Sequence, residues 1–169
     1  MFKLEGLRAS TFTDGTFATG EGYTIINKKR AVALPCKKAL RKWVRLFLPT
    51  TGQRTVVQVL DVGPYLWWDD FFVLEGNRPL VETYYESGER FPSEDIGEQC
   101  WSKVSFAGKA PNSRASVDLT PPVWWDLGVG LSEEGLRSFS TDELEMEWFV
   151  EPNLDSDNED EGIPEWLRI

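Results

Sequence analysis

Three carboxylates stand where they could move a proton. Asp61 closes the run Thr55 to Leu60, and strand alternation puts it on the side of Val57 and Val59. Those valines suit a core, so Asp61 falls where the apolar phase would continue. A carboxylate there is either hydrogen-bonded or has a raised pKa. The plainer reading is that it caps backbone amides at the turn made by Gly63 and Pro64. Asp118 lies between Val117 and Leu119 and points away from both. It stands at the mouth of a following helix, either tidying the strand end or serving as a general acid–base in a groove. Glu21 sits between Gly20 and Gly22, which allow close approach of a ligand, though an ordinary surface glutamate has the same pattern.

Tryptophan pairs supply a second kind of chemistry. Sugar rings stack their C–H faces on indoles, while their hydroxyls need carboxylates and amides. Trp67-Trp68, followed by Asp69-Asp70, suits a glycan in that sense. Trp124 reads as core, which leaves its neighbour Trp125 off the buried face. The chain of 169 residues carries 8 Trp and 10 Phe, more aromatic surface than packing alone asks for.

Composition removes several alternatives. The formal charge of -10 opposes nucleic acid and anionic membranes as partners. With no histidine, the Ser-His-Asp and Cys-His triads and the usual zinc sites drop out. No cofactor or metal is expected. Cys36 and Cys100 could pair or stay free. No long apolar run opens the chain, so no signal peptide, lipid anchor or membrane span is expected, and reaching a cell wall would take lysis or a phage particle.

These groups need elements to hold them. Strands are expected at residues 9–13, 30–34, 43–48, 55–60, 115–119 and 143–150, with 43–60 a hairpin. In the last strand Leu144, Met146, Trp148 and Val150 share one side. Thr120 and Pro121 read as N-cap and first position of a short helix that Gly128 closes. Residues 66–114 hold most of the glycine and proline signals and many aromatics. They read as an ordered insertion rather than disorder. Residues 151–169 are an acidic tail, expected to be mobile and able to dock a protein partner through Trp166 and Leu167.

Several short stretches occur together in a telling order. They are Ala9-Ser10-Thr11-Phe12, Ala18-Thr19-Gly20-Glu21-Gly22-Tyr23, Ala31-Val32-Ala33-Leu34-Pro35, Val59-Leu60-Asp61-Val62-Gly63-Pro64-Tyr65 and Val117-Asp118-Leu119-Thr120. In combination they resemble the double-psi β-barrel superfamily, and within it the rare-lipoprotein-A-like cell-wall proteins related to expansins and some lytic transglycosylases. The resemblance covers about residues 9–65 and 115–128. It implies a mostly β chain: a six-stranded double-psi barrel over residues 1–150, carrying the insertion and one or two short helices. It also implies that Asp118 is the catalytic acid–base, with Asp61 beside it and Glu21 facing the same groove. The expected substrate-binding set is Tyr65, Trp67, Trp68, Asp70, Arg78 and Trp125. Arg78-Pro79 enters that set because some members have an insertion with a similar Arg-Pro. The family usually has a histidine near Ala33-Leu34, a short link where residues 66–114 stand here, and an export signal. The expected activity is lytic transglycosylation of peptidoglycan. The alternative is a non-catalytic glycan-binding or virion module on the same fold.

Overall fold

Alternation along Trp43–Leu48 buries Val44, Leu46 and Leu48 and turns Trp43, Arg45 and Phe47 outward. A partner strand pairs with it in antiparallel register from Trp43↔Gln58 to Leu48↔Gln53. This hairpin belongs to a closed barrel in the computed structural model, which describes residues 1–20, 22–23, 29–93 and 102–148. The strands are β1 (Phe2–Thr11), β2 (Gly15–Thr16), β3 (Gly22–Tyr23), β4 (Val32–Leu34), β5 (Trp43–Leu48), β6 (Gln53–Val62), β7 (Val117–Leu119) and β8 (Thr141–Trp148). Six of them close in the order β1-β7-β4-β6-β5-β8, and β2 with β3 forms a small separate ribbon. The β1–β7 and β4–β6 pairs are parallel, while the other contacts around the barrel are antiparallel. Closure gives each of the six barrel strands a partner on both sides.

Several expected strands run longer than their sequence signals. β1 begins at Phe2 rather than residue 9, and β6 begins at Gln53. In β8, Leu144, Met146 and Trp148 all face the core, as alternation predicts. Phe149 and Val150 lie outside the described residues, as does the whole acidic tail.

One expectation about Asp61 is overturned. β4 pairs Val32 with Val59 but Ala33 with Asp61, so β6 carries an extra residue at that point. This bulge shifts the phase of the strand. Val57, Val59 and Val62 join the barrel core, and Leu60 packs instead with Phe17 and Ala31 in a satellite cluster. Asp61 therefore leaves the core side and stays half-buried.

Among the described residues, four short helices accompany the barrel: α1 (Asp70–Val73), α2 (Leu80–Ser87), α3 (Pro121–Asp126) and α4 (Glu133–Leu136). The expected helix after Asp118 is α3, with Val123, Trp124 and Leu127 fully buried. Thr120 stands at its N-cap but does not cap it. Its hydroxyl donates to Lys29 O at 2.9 Å and accepts from Ala31 N at 3.1 Å, tying the helix entrance to β4. Gly128 follows with φ +82, and a Cβ there would lie 3.1 Å from Thr51 Cβ.

The insertion contributes α1 and α2. Leu66, Val81 and Phe91 join Tyr65 in a core of their own. Phe72 and Val73 of α1 pack into the barrel core instead. Asp69 organises this region. It is fully buried, and its two oxygens accept from Phe72 N at 3.1 Å and Leu80 N at 2.9 Å, holding the starts of both helices. Burial pushes its carboxyl up to about 6 from 3.8, against those two amides. A carboxyl whose pKa is higher folded than unfolded contributes stability below its unfolded pKa and loses it as pH rises through the folded one. Stability is therefore expected to fall as pH rises from about 4 to about 6. Urea midpoints across that window check this: Asp69→Asn should flatten the fall, and an unchanged slope in the variant would place its origin elsewhere.

Candidate functional site

Strand register assembles the site. β1 places Ser10 beside Asp118 of β7, β7 places Asp118 beside Ala33 of β4, and β4 places Ala33 beside Asp61 of β6. Ser10, Asp118, Ala33 and Asp61 thus form one row across four adjacent strands. Val32, Leu34, Val117 and Leu119 point inward, so the row lies on the barrel's outer side. At about 4.8 Å per strand, the backbones of the two aspartates stand roughly 10 Å apart, with Ala33 between them. Ala33 is only 2% exposed, which shows how closely this part of the outer surface is covered.

The insertion supplies the cover. Leu66 and Ser102 form an isolated bridge, and Lys103 N donates to Tyr65 O at 2.8 Å. This fixes Lys103 over the row. A Cβ on Gly63 would come 2.6 Å from Lys103 Nζ, so the lysine lies directly against that glycine. Gly63 also has φ +143, in the region that favours glycine. The backbone conformation is what calls for glycine there, since the tip of a flexible lysine could shift.

A pocket of about 250 Å³ opens beside Asp118, with Ser10, Tyr65, Lys103, Phe106 and Asn112 among its walls. The Tyr65 hydroxyl donates to Asn112 Oδ1 and lies 3.1 Å from Ser113 Oγ. Its ring meets Phe106 edge-on at 4.7 Å between centroids. Among the described residues, the pocket therefore combines an aromatic wall with polar groups and a single carboxylate, Asp118. Asp61 is next to the pocket rather than part of its lining. Its Oδ1 accepts from Ala18 N at 3.0 Å, in the loop after β2, and the adjacent Val62 amide at the start of its own turn also acts on it.

Electrostatics separate the two acids. Burial raises the pKa of Asp118, and the Asp61 charge raises it further. The Ser10 hydroxyl, which donates to Asp118 Oδ1, and the Lys103 ammonium pull it back down. Burial also raises Asp61, while the amides of Val62 and Ala18, and Lys103, oppose the rise. Among the described residues, Lys103 is thus the cation acting on both acids, without a close ion pair to either. Removing a nearby positive charge makes a carboxylate harder to form. Lys103→Met is accordingly expected to move both aspartate titrations to higher pH, as read by carbon-detected NMR. Unmoved inflections would show that the ammonium does not reach them.

The other expected site residues fall elsewhere. Trp67, Trp68 and Asp70 gather at a different place, around the segment 36–38. Lys37 Nζ lies 4.2 Å from the Trp67 ring centroid, and Lys38 Nζ lies 2.6 Å from Asp70 Oδ2. Trp68 is 41% exposed there. None of the three lines the Asp118 pocket. Cys36 is buried, free of any disulfide and 3.3 Å from Asp70 Oδ1, and burial first, then Asp70, pushes its thiol up to about 12. Such a thiol is inert as a nucleophile. Arg78 forks onto Glu82 and donates to Glu5 O at 2.6 Å, pinning α2 to β1. Trp125 packs against the core and donates to Leu131 O at 2.8 Å. Glu21, Cys100 and Trp101 lie outside the described residues.

Lys103, Asn112 and Ser113 carry no sequence signal that singles them out. Ser10 belongs to the Ala9-Ser10-Thr11-Phe12 stretch, whose sequence signals only a strand. Among the described residues, no group of three or more His, Cys, Asp or Glu is placed to hold a metal ion, and no helix is long and apolar enough to cross a membrane. Fold and site together define a closed six-stranded mixed β-barrel with a carboxylate-bearing pocket on its outer surface. No protein-family model and no curated protein matches the chain.

Proposed function

We propose that this protein cleaves the glycan of bacterial peptidoglycan by lytic transglycosylation, with Asp118 as its acid–base. The observation that carries this reading is the half-buried carboxyl of Asp118, alone among the described residues in lining an open pocket with a carboxylate, its pKa raised by burial. Hydrolases that use two carboxylates place both on the scissile bond. Here the second acid, Asp61, stands off the pocket and is held by Ala18 N. One-carboxyl chemistry fits that layout.

In this chemistry protonated Asp118 gives its proton to the glycosidic oxygen as the C–O bond breaks. The resulting carboxylate then takes the proton of the muramyl 6-hydroxyl as that oxygen attacks the anomeric carbon. The product is an anhydro sugar, no water is consumed, and Asp118 ends protonated again. Lys103 offsets the charge on Asp118 while it is ionised, and Asp61 keeps the proton from being held too weakly. Phe106 offers an apolar wall to a sugar ring, and Asn112 and Ser113 offer hydrogen bonds to its hydroxyls. The resemblance to the rare-lipoprotein-A-like proteins supports the same assignment for Asp118.

One observation favours a second reading. Ser10 already satisfies an oxygen of Asp118 inside the protein, which suits a structural carboxylate in a non-catalytic glycan-binding or virion module. Dye-labelled insoluble peptidoglycan separates the two. The proposal expects soluble labelled fragments to accumulate with time. Retention of the protein on the pellet with no fragments released would leave the second reading standing.

A further inference from the structure

The Asp118 pocket does not end at Asn112 and Ser113. Both residues also line an adjoining cleft of about 270 Å³, whose other walls are Arg8, Tyr85, Arg114 and Asp142. The two spaces therefore share a common wall. We propose that this second cleft is a subsite for one neutral sugar ring of a bound glycan, with Tyr85 as its stacking platform. The inference rests on the glycan reading above and extends it to the length of substrate recognised.

The charges of the cleft decide for a neutral ligand. Its arginines look at first like an anion site, but they are already engaged. Asp142 takes Arg8 Nη1 at 2.9 Å and Arg114 Nη2 at 2.9 Å. Arg114 Nη1 lies 3.4 Å from Glu82, which also holds Arg78 at 2.6 Å. The cations are thus shared between two carboxylates, and an incoming anion would have to compete with both. What remains is a polar surface whose three guanidiniums are all engaged by the two carboxylates and which offers hydrogen bonds, suiting hydroxyl and acetamido groups.

Tyr85 supplies the apolar half of sugar recognition. It lies on α2, whose Val81 is buried in the insertion's core, while Tyr85 is 46% exposed beside the cleft. An exposed ring next to hydrogen-bonding groups matches the two-sided character of a pyranose. The volume is just under the roughly 300 Å³ at which small-molecule sites begin, enough for a single ring rather than a chain. The ion pairs also join α2, β1, β8 and the segment before β7, so the floor is braced before any ligand arrives.

Binding of neutral N-acetylglucosamine oligomers, followed by calorimetry on the full chain, tests the subsite. On this proposal the tetramer occupies both spaces and should bind about tenfold more tightly than the dimer. Tyr85→Ala should remove most of that advantage and leave dimer binding unchanged, while Tyr85→Phe should keep it. If the dimer binds and Tyr85→Ala retains the full tetramer advantage, the subsite is refuted and the glycan reading survives. If neither oligomer binds, the glycan reading fails and takes the subsite with it.

Discussion

Asp118→Asn is expected to lower product release from peptidoglycan by about 10²–10⁴-fold while leaving the fold intact. Asparagine keeps the shape of aspartate and can still accept from the Ser10 hydroxyl. It cannot deliver a proton to a leaving oxygen or take one back from an attacking hydroxyl. The circular dichroism spectrum should stay close to wild type and the urea midpoint at neutral pH should not fall, because Asp118 sits on the barrel's outer row and burial already disfavours its charge. Asp61→Asn is the matched control. It keeps an acceptor for Ala18 N, and its effect should be smaller because Asp61 does not line the pocket. Equal losses from the two substitutions would argue against single-carboxyl chemistry.

Trp148→Ala is expected to cost about 3–5 kcal/mol of stability. Trp148 is fully buried at the end of β8. Its ring packs edge-on against Phe72 of α1 and tilted against Phe2 of β1, both at 5.6 Å between centroids. Its indole N–H donates to Val73 O at 2.7 Å. One side chain therefore joins β1, β8 and the insertion. Truncation would open a cavity and leave a buried carbonyl without its donor. Urea unfolding followed by fluorescence of the remaining tryptophans measures the loss. A change below about 1 kcal/mol would mean that the insertion is anchored to the barrel by other contacts.

Local pattern made much of the barrel legible. The alternation of β5 and β8 and the apolar spacing of α3 translate directly into buried residues, because each depends on near neighbours in the chain. Asp118 was readable in the same way: Val117 and Leu119 go in, so it goes out. Asp61 misled because a bulge is invisible to strict alternation. Nothing in Val57 to Val62 announces that β4 will pair Ala33 one residue further along. The insertion's helices carry signals that loops share. Pro79 precedes α2, and Gly88 closes it with φ 72, which are ordinary marks of a helix start and stop. Asp69 likewise looked like a sugar ligand beside two tryptophans, yet it is the buried cap of α1.

The site's remaining parts were out of reach for a different reason. Lys103 meets Gly63 and the aspartate row only because the segment after Trp101 folds back along Leu66. That juxtaposition is tertiary, and no spacing along the chain encodes it. Trp67 and Trp68 show the converse. Their composition suits a glycan, but Lys37 and Asp70 hold that cluster around the segment 36–38, away from the Asp118 pocket.

The most direct test of single-carboxyl catalysis is digestion of peptidoglycan in water enriched in oxygen-18, with the fragments weighed by mass spectrometry. Intramolecular attack by the muramyl 6-hydroxyl should give anhydro-ended fragments that carry no heavy oxygen at the new terminus. Fragments ending in a reducing sugar labelled by solvent would show that water attacks instead, and would contradict the role assigned to Asp118.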